Sequence, residues 1–155
     1  MIRVRSILLF TLILSVMTGC SAGDDVLSAL PGYSSSEYYT TGGFQDYTDY
    51  AKYTYDSLSQ EDIIATGYFV TMTEADISNI LSYIENFEGW VEIVGGEVEE
   101  NYDFDKTILS EGDCFYIKTK EGEPIGQSTY GKFDNYSIYF LDVESSVLYY
   151  FHSNI

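Results

Sequence analysis

Thr73-Glu74-Ala75-Asp76-Ile77-Ser78-Asn79-Ile80-Leu81-Ser82-Tyr83-Ile84-Glu85-Asn86-Phe87-Glu88-Gly89 is the stretch that decides the fold. Ile77, Ile80, Leu81 and Ile84 recur at i, i+3, i+4 and i+7, and Phe87 extends the stripe. That spacing places them on one buried face of an amphipathic helix. Ser78, Asn79, Ser82 and Glu85 take the opposite face. Thr73 can act as N-cap, while Glu74 and Asp76 put negative charge in the first turn, where the helix dipole favours it. Gly89 is a natural stop. The spacing predicts a helix over residues 74–87.

Around the helix the apolar pattern shortens to period two or to brief continuous runs. Gly67-Tyr68-Phe69-Val70-Thr71-Met72 before it reads as a short strand. After it, Trp90-Val91-Glu92-Ile93-Val94 reads as a strand ending at the turn pair Gly95-Gly96, and Glu97-Val98-Glu99 as an exposed return strand. Asn101 to Asp113 reads mostly as loop. Cys114-Phe115-Tyr116-Ile117-Lys118-Thr119 is a strand, closed by the turn sequence Glu121-Gly122-Glu123-Pro124. Tyr136-Ser137-Ile138-Tyr139-Phe140-Leu141 and Val147-Leu148-Tyr149-Tyr150-Phe151-His152 form a hairpin. Both arms are apolar on both faces, as central strands are. The expected fold is α+β, one main helix over about 74–87 on an antiparallel sheet of four to six strands. One helix followed by a run of strands resembles cystatin-like folds, an analogy of architecture that implies no activity.

Residues 47–155 are expected to form this domain, and residues 20–46 a flexible tether. Pro31-Gly32, Ser34-Ser35-Ser36 and Gly42-Gly43 interrupt any periodicity there. A flexible chain of that length spans on the order of 25–30 Å root-mean-square. The tether is unusual in carrying Tyr33, Tyr38 and Tyr39, which a plain spacer does not need. The tyrosines from 50 to 55 are expected to pack on the domain.

At the front of the chain, Arg3 and Arg5 precede the apolar run Ile7–Val16. About ten residues is half of what a helix needs to span a bilayer, and fits the core of a secretory signal peptide. Met17-Thr18-Gly19-Cys20 follows, and the chain then turns polar at Ser21-Ala22-Gly23-Asp24-Asp25. This resembles the lipobox of bacterial lipoproteins, with Met17 where leucine is usual. The resemblance covers residues 1–20 only. It implies that residues 1–19 are removed, that Cys20 carries fatty acid such as palmitate, and that the chain is lipid-anchored on the extracytoplasmic face of a cell membrane. Two or three acyl chains suffice for stable attachment, each buried CH₂ contributing ~0.8 kcal/mol. No family resemblance extends into the domain.

Charge excludes some functions. Both arginines lie in the signal segment, so Lys52, Lys106, Lys118, Lys120 and Lys132 face 25 acids. A chain so acidic does not bind nucleic acid, whose phosphates need cations. Anionic lipid would repel the domain, leaving acylated Cys20 as its route to the membrane. With Cys20 acylated, Cys114 has no partner for a disulfide.

Few residues suggest chemistry. His152 is the single histidine, and any Ser-His or Cys-His site would need it. Cys114 would be a nucleophile only with its thiolate stabilised by positive charge, for which Lys118 and Lys120 are the nearest source. Glu97, Glu99, Glu100, Asp103, Asp105, Glu111 and Asp113 offer carboxylates of the kind calcium prefers, but without EF-hand spacing. No phosphate-cradling glycine loop, CxxC pair or HExxH is present. No catalytic residue, metal site or cofactor is assigned. Trp90, Tyr116, Tyr139 and Tyr150 are the candidate binding residues, forming a stacking platform for an envelope protein or polysaccharide. The expectation is a non-catalytic binding or accessory lipoprotein. The alternatives are a small envelope hydrolase using paired carboxylates ~5–9 Å apart and an inhibitory module of cystatin-like shape.

Overall fold

The computed structural model describes residues 24–43 and 46–155. The segment expected to be a signal peptide, with Met17-Thr18-Gly19-Cys20, lies outside them. In chain order come α1 (Asp25–Ala29), β1 (Ser35–Thr40), β2 (Tyr47–Thr54), α2 (Gln60–Ala65), β3 (Val70–Thr71), α3 (Glu74–Val94) and α4 (Glu97–Asn101). A 3₁₀ turn at Lys106–Ile108 leads to β4 (Cys114–Thr119), β5 (Pro124–Ile125), β6 (Ser128–Thr129), β7 (Asn135–Asp142) and β8 (Val147–Asn154). Six strands form one sheet in the order β1-β2-β8-β7-β4-β3, every neighbouring pair antiparallel. β5 and β6 make a separate small hairpin. The fold is α+β, with β7 and β8 at the centre of the sheet as their two-sided apolar sequences require.

α3 lies across one face. Ile80, Ile84, Phe87 and Val91 pack with Tyr50, Tyr136, Ile138, Phe140 and Phe151 of the strands. Full burial of each such side chain contributes roughly 1.5–3 kcal/mol. The first turn is closed by Asp76, whose Oδ2 accepts from the Thr73 amide at 2.9 Å and the Thr73 hydroxyl at 2.6 Å.

Several expectations need correcting. Trp90–Val94 is the last part of α3 and not a strand. Val91 sits four residues after Phe87 and is buried, so the apolar stripe runs past Gly89. Gly89 is exposed with open space around it, and its cost in a helix, about 1 kcal/mol against alanine, is smaller than the gain from burying Val91. The helix stops instead at Gly95 and Gly96, with φ of 71° and 78°. Glu97-Val98-Glu99 is helical, in α4, with Val98 buried beside α3. The strand expected over 67–72 shrinks to Val70–Thr71.

The largest correction falls on the expected tether. Within residues 20–46, Asp25–Ala29 is helical and Ser35–Thr40 pairs along its whole length with β2. α1, α2 and the segments beside them cover the face of the sheet opposite α3. Val26, Leu30, Leu58, Ile63 and Phe69 pack there on Ala51, Tyr53, Tyr139, Leu141 and Leu148. The sheet thus has helices on both faces.

Candidate functional site

Strand alternation decides which tyrosines share a face. On the α1 side, pairing sets Tyr116 opposite Tyr139, Tyr139 opposite Tyr150, Tyr150 opposite Ala51, and Ala51 opposite Tyr38. Rings of the first three are in contact, with centroids 5.9 Å apart for Tyr116–Tyr139 and 5.0 Å for Tyr139–Tyr150. The ladder continues through His152, stacked on Tyr150 at 6.4 Å, to Tyr47 at 5.2 Å. Three of the four candidate binding residues therefore meet. Trp90 does not join them, because α3 carries it on the other side of the sheet.

Much of this ladder is covered. Tyr139 is only 2% exposed, and its hydroxyl donates to Asp24 Oδ2 at 2.6 Å. Asp24 is also the N-cap of α1, its Oδ1 accepting from the amides of Val26 and Leu27 at 3.0 and 3.3 Å. One carboxylate therefore both starts the helix and fastens it to β7. Burial, then the bond to Asp24, keeps the Tyr139 phenol protonated far above the ordinary tyrosine range. Tyr116 and Tyr150 are half-buried. The tyrosines that reach solvent on this face are Tyr38, 53% exposed, and Tyr33, 48% exposed and resting on the Tyr53 ring at 5.1 Å. Neither was among the candidates, because residues 20–46 read as spacer. The available signal was Asp24 followed by Val26, Leu27 and Leu30, a cap and one helical turn.

Asp49 lies opposite His152 in the pairing and is 7% exposed. Burial first, and then its charge and hydrogen bond, hold the Tyr38 phenol well above its usual range. Asp49 Oδ1 has no hydrogen-bond partner, but it is sealed from the surface, so no ligand reaches it as the face is built.

His152 is arranged for structure. Its Nδ1 lies 2.9 Å from the Tyr136 carbonyl and 2.9 Å from Ser137 Oγ. The carbonyl can only accept, so the network puts the proton on Nδ1 and leaves Nε2 to accept from the Tyr47 hydroxyl at 3.3 Å. A protonated Nδ1 cannot remove the Ser137 proton, so the two do not form a nucleophile–base pair. Burial lowers the His152 pKa, with the Asp49 charge opposing it. Cys114 is fully buried, and burial followed by the Asp113 charge pushes its thiol up to about 11, the reverse of an activated nucleophile.

The acids of residues 97–113 are dispersed. Asp103 accepts from Tyr50 and Lys52, Asp105 caps the 3₁₀ turn, Glu111 accepts from the Glu74 amide, and Asp113 accepts from Ser110 and the Val143 amide. Among the described residues no group of three or more acids, histidines or cysteines is placed to hold a metal ion.

A hollow of about 220 Å³ on the α3 side of β1 and β2 is lined in part by Glu37, Lys52 and Tyr149. Lys52 Nζ bridges Glu37 at 2.9 Å and Asp103 at 2.7 Å. Burial alone would raise the Asp103 pKa. Hydrogen bonds from Lys52 and Tyr50 outweigh it and hold the carboxyl below its ordinary range. A glycosidase acid needs the opposite shift, and here a lysine fills the space between the two carboxylates.

The fold is therefore a helix-covered, six-stranded antiparallel sheet whose polar and aromatic groups are engaged mainly with one another. No protein-family model, curated protein or solved structure matches the chain. No helix among the described residues is long and apolar enough to cross a membrane.

Proposed function

We propose that the chain is an extracytoplasmic lipoprotein, anchored through acylated Cys20, that acts as a non-catalytic binding or accessory module in the cell envelope. The observation that carries this reading is Met17-Thr18-Gly19-Cys20 behind a short apolar run, followed within four residues by the start of a folded domain. Three features of the domain agree with a non-catalytic role: the proton on His152 Nδ1, the raised Cys114 thiol, and the lysine between Glu37 and Asp103. Its partner would be an envelope protein or a polysaccharide.

Labelled palmitate tests the anchor. Wild-type chain expressed in a bacterium should take up label and sediment with membranes, while Cys20→Ala should do neither. Equal labelling of the two would overturn the reading.

A further inference from the structure

We propose that the α1-bearing face of the sheet is the membrane-facing side of the anchored domain, with Tyr33 and Tyr38 at the lipid headgroups and the α3–α4 layer turned away. The proposal rests on the reading of Cys20 as the acylated residue.

The argument is one of reach. Asp24 is a fixed point, bonded to Tyr139 at 2.6 Å and to the amides of Val26 and Leu27. Val26 and Leu30 are buried against the sheet, so α1 cannot swing outward without exposing them. Only four peptide units separate Cys20 from Asp24, and they span at most about 14 Å when fully extended. The long tether suggested by sequence is not available, because its residues are spent on α1 and β1.

α1 sits over the middle of the sheet, on residues of β2, β7 and β8. Strands lie about 4.8 Å apart, so from Asp24 over β7 the β3 edge is about 10 Å to the side and the β1 edge about 14 Å. Layers stack at about 10 Å each, which puts α3 roughly 20 Å further from the attachment point than α1. Bringing α3 onto the bilayer would require the linker to pass around a sheet edge and then through both layers, a path well beyond its length. The α1 face is the surface within reach.

The side chains there suit that position. Tyr33 and Tyr38 are the exposed tyrosines of this side, each with an apolar ring and a polar tip, the type of residue that collects at headgroup level. The domain's negative charge opposes close approach to anionic lipid. Contact is therefore shallow and maintained by the anchor, and the domain has no vesicle affinity without it.

The chain has one tryptophan, Trp90 on α3, which is a native reporter for the far side. Full-length acylated protein is reconstituted in phosphatidylethanolamine–phosphatidylglycerol vesicles carrying a headgroup spin label. The double variant Trp90→Phe/Tyr38→Trp moves the reporter to the near side at an exposed position of an edge strand. If circular dichroism shows that this variant does not fold, Trp90→Phe/Tyr33→Trp replaces it. Near-side fluorescence should be quenched on vesicle binding, because that ring sits at headgroup depth, and Trp90 fluorescence should be unchanged. Quenching of Trp90 as strong as that at position 38, or no quenching at either in protein that floats with the vesicles, would overturn the orientation. Wild-type protein that does not float with vesicles would instead sink the anchor itself, and Cys20→Ala that floats as well as wild type would do the same.

Discussion

The two faces of the one sheet are closed by different means. On the α3 side a helix of 21 residues lays a continuous apolar stripe on Tyr136, Ile138, Phe140 and Phe151, with the buried Tyr136 hydroxyl donating to the Tyr83 carbonyl and Asn86 Oδ1. On the α1 side the covering helices have five and six residues. Helices that short are not stable alone. They are fastened by side-chain hydrogen bonds: Asp24 to Tyr139 over β7, and Ser59 capping α2 through the Asp62 amide. Both faces combine buried area with directed bonds, but on the α1 side the covering helices are too short to hold by area alone.

Alkali should break both faces together. Burial holds Tyr50, Tyr102 and Tyr136 on one side, and Tyr53, Tyr139 and Tyr150 on the other, protonated above the ordinary tyrosine range, Tyr53 at about 12. Below the unfolded value of about 10, phenols are neutral in both states and stability does not depend on them. As pH rises through that value the unfolded chain ionises and the folded one does not, so stability falls. Tyrosinate absorbance should therefore lag and then rise in one cooperative step coincident with loss of circular dichroism. A gradual titration of these phenols with the fold intact would contradict their burial. In acid the sign reverses. Asp76 is held below its ordinary value by the Thr73 hydroxyl and amide. Its contribution is complete above the unfolded carboxyl value, about 3.9, and is lost as pH falls through the lowered folded value.

Phe87→Ala should separate the faces. Phe87 is fully buried between α3 and Phe151, with ring centroids 5.5 Å apart. Its removal should cost about 3–5 kcal/mol by denaturant titration, with hydrogen exchange faster along α3 than at α1. Loss of less than about 1 kcal/mol would mean that α3 is not the main closure of that face.

Tyr139→Phe is the matching test on the other side. It deletes one hydroxyl and keeps the ring. A hydrogen bond to a charged group contributes about 1.5–3 kcal/mol, so stability should fall by that order, with faster exchange at the Val26 and Leu27 amides. Tyr136→Phe, whose hydroxyl donates to the Tyr83 carbonyl and Asn86 Oδ1, is the control on the α3 face. Local loosening of α1 in Tyr136→Phe equal to that in Tyr139→Phe would erase the proposed difference between the faces.

The same contrast explains what was legible in the sequence. The α3 stripe and the β7–β8 hairpin are periodic apolar patterns, and both were readable because burial itself writes that period. β1 and β2 were not, since Ser35–Thr40 is an exposed edge and β2 buries Thr48 and Asp49 among its tyrosines. Tyr116, Tyr139 and Tyr150 could be named from sequence as aromatic strand residues. Their shared face depends on the pairings of Tyr116 with Tyr139 and of Tyr139 with Tyr150, and Asp24, the partner of Tyr139, lies 115 residues from it. Trp90 lies on α3 and not in a strand because the apolar stripe runs past Gly89 to Val91.

Gly89→Ala tests that continuation of the helix directly. The position is exposed, lies inside α3, and has no atom within 4 Å of where a Cβ would stand. Alanine there loses less backbone entropy on folding and meets no clash, so the variant should be more stable than wild type by about 0.5–1 kcal/mol. Were the helix to end at Gly89 in a left-handed cap, alanine would be strained and the change would destabilise. The sign of a single small shift in the denaturation midpoint therefore decides whether residues 90–94, with Trp90 among them, extend the apolar cover of one face or return to the sheet.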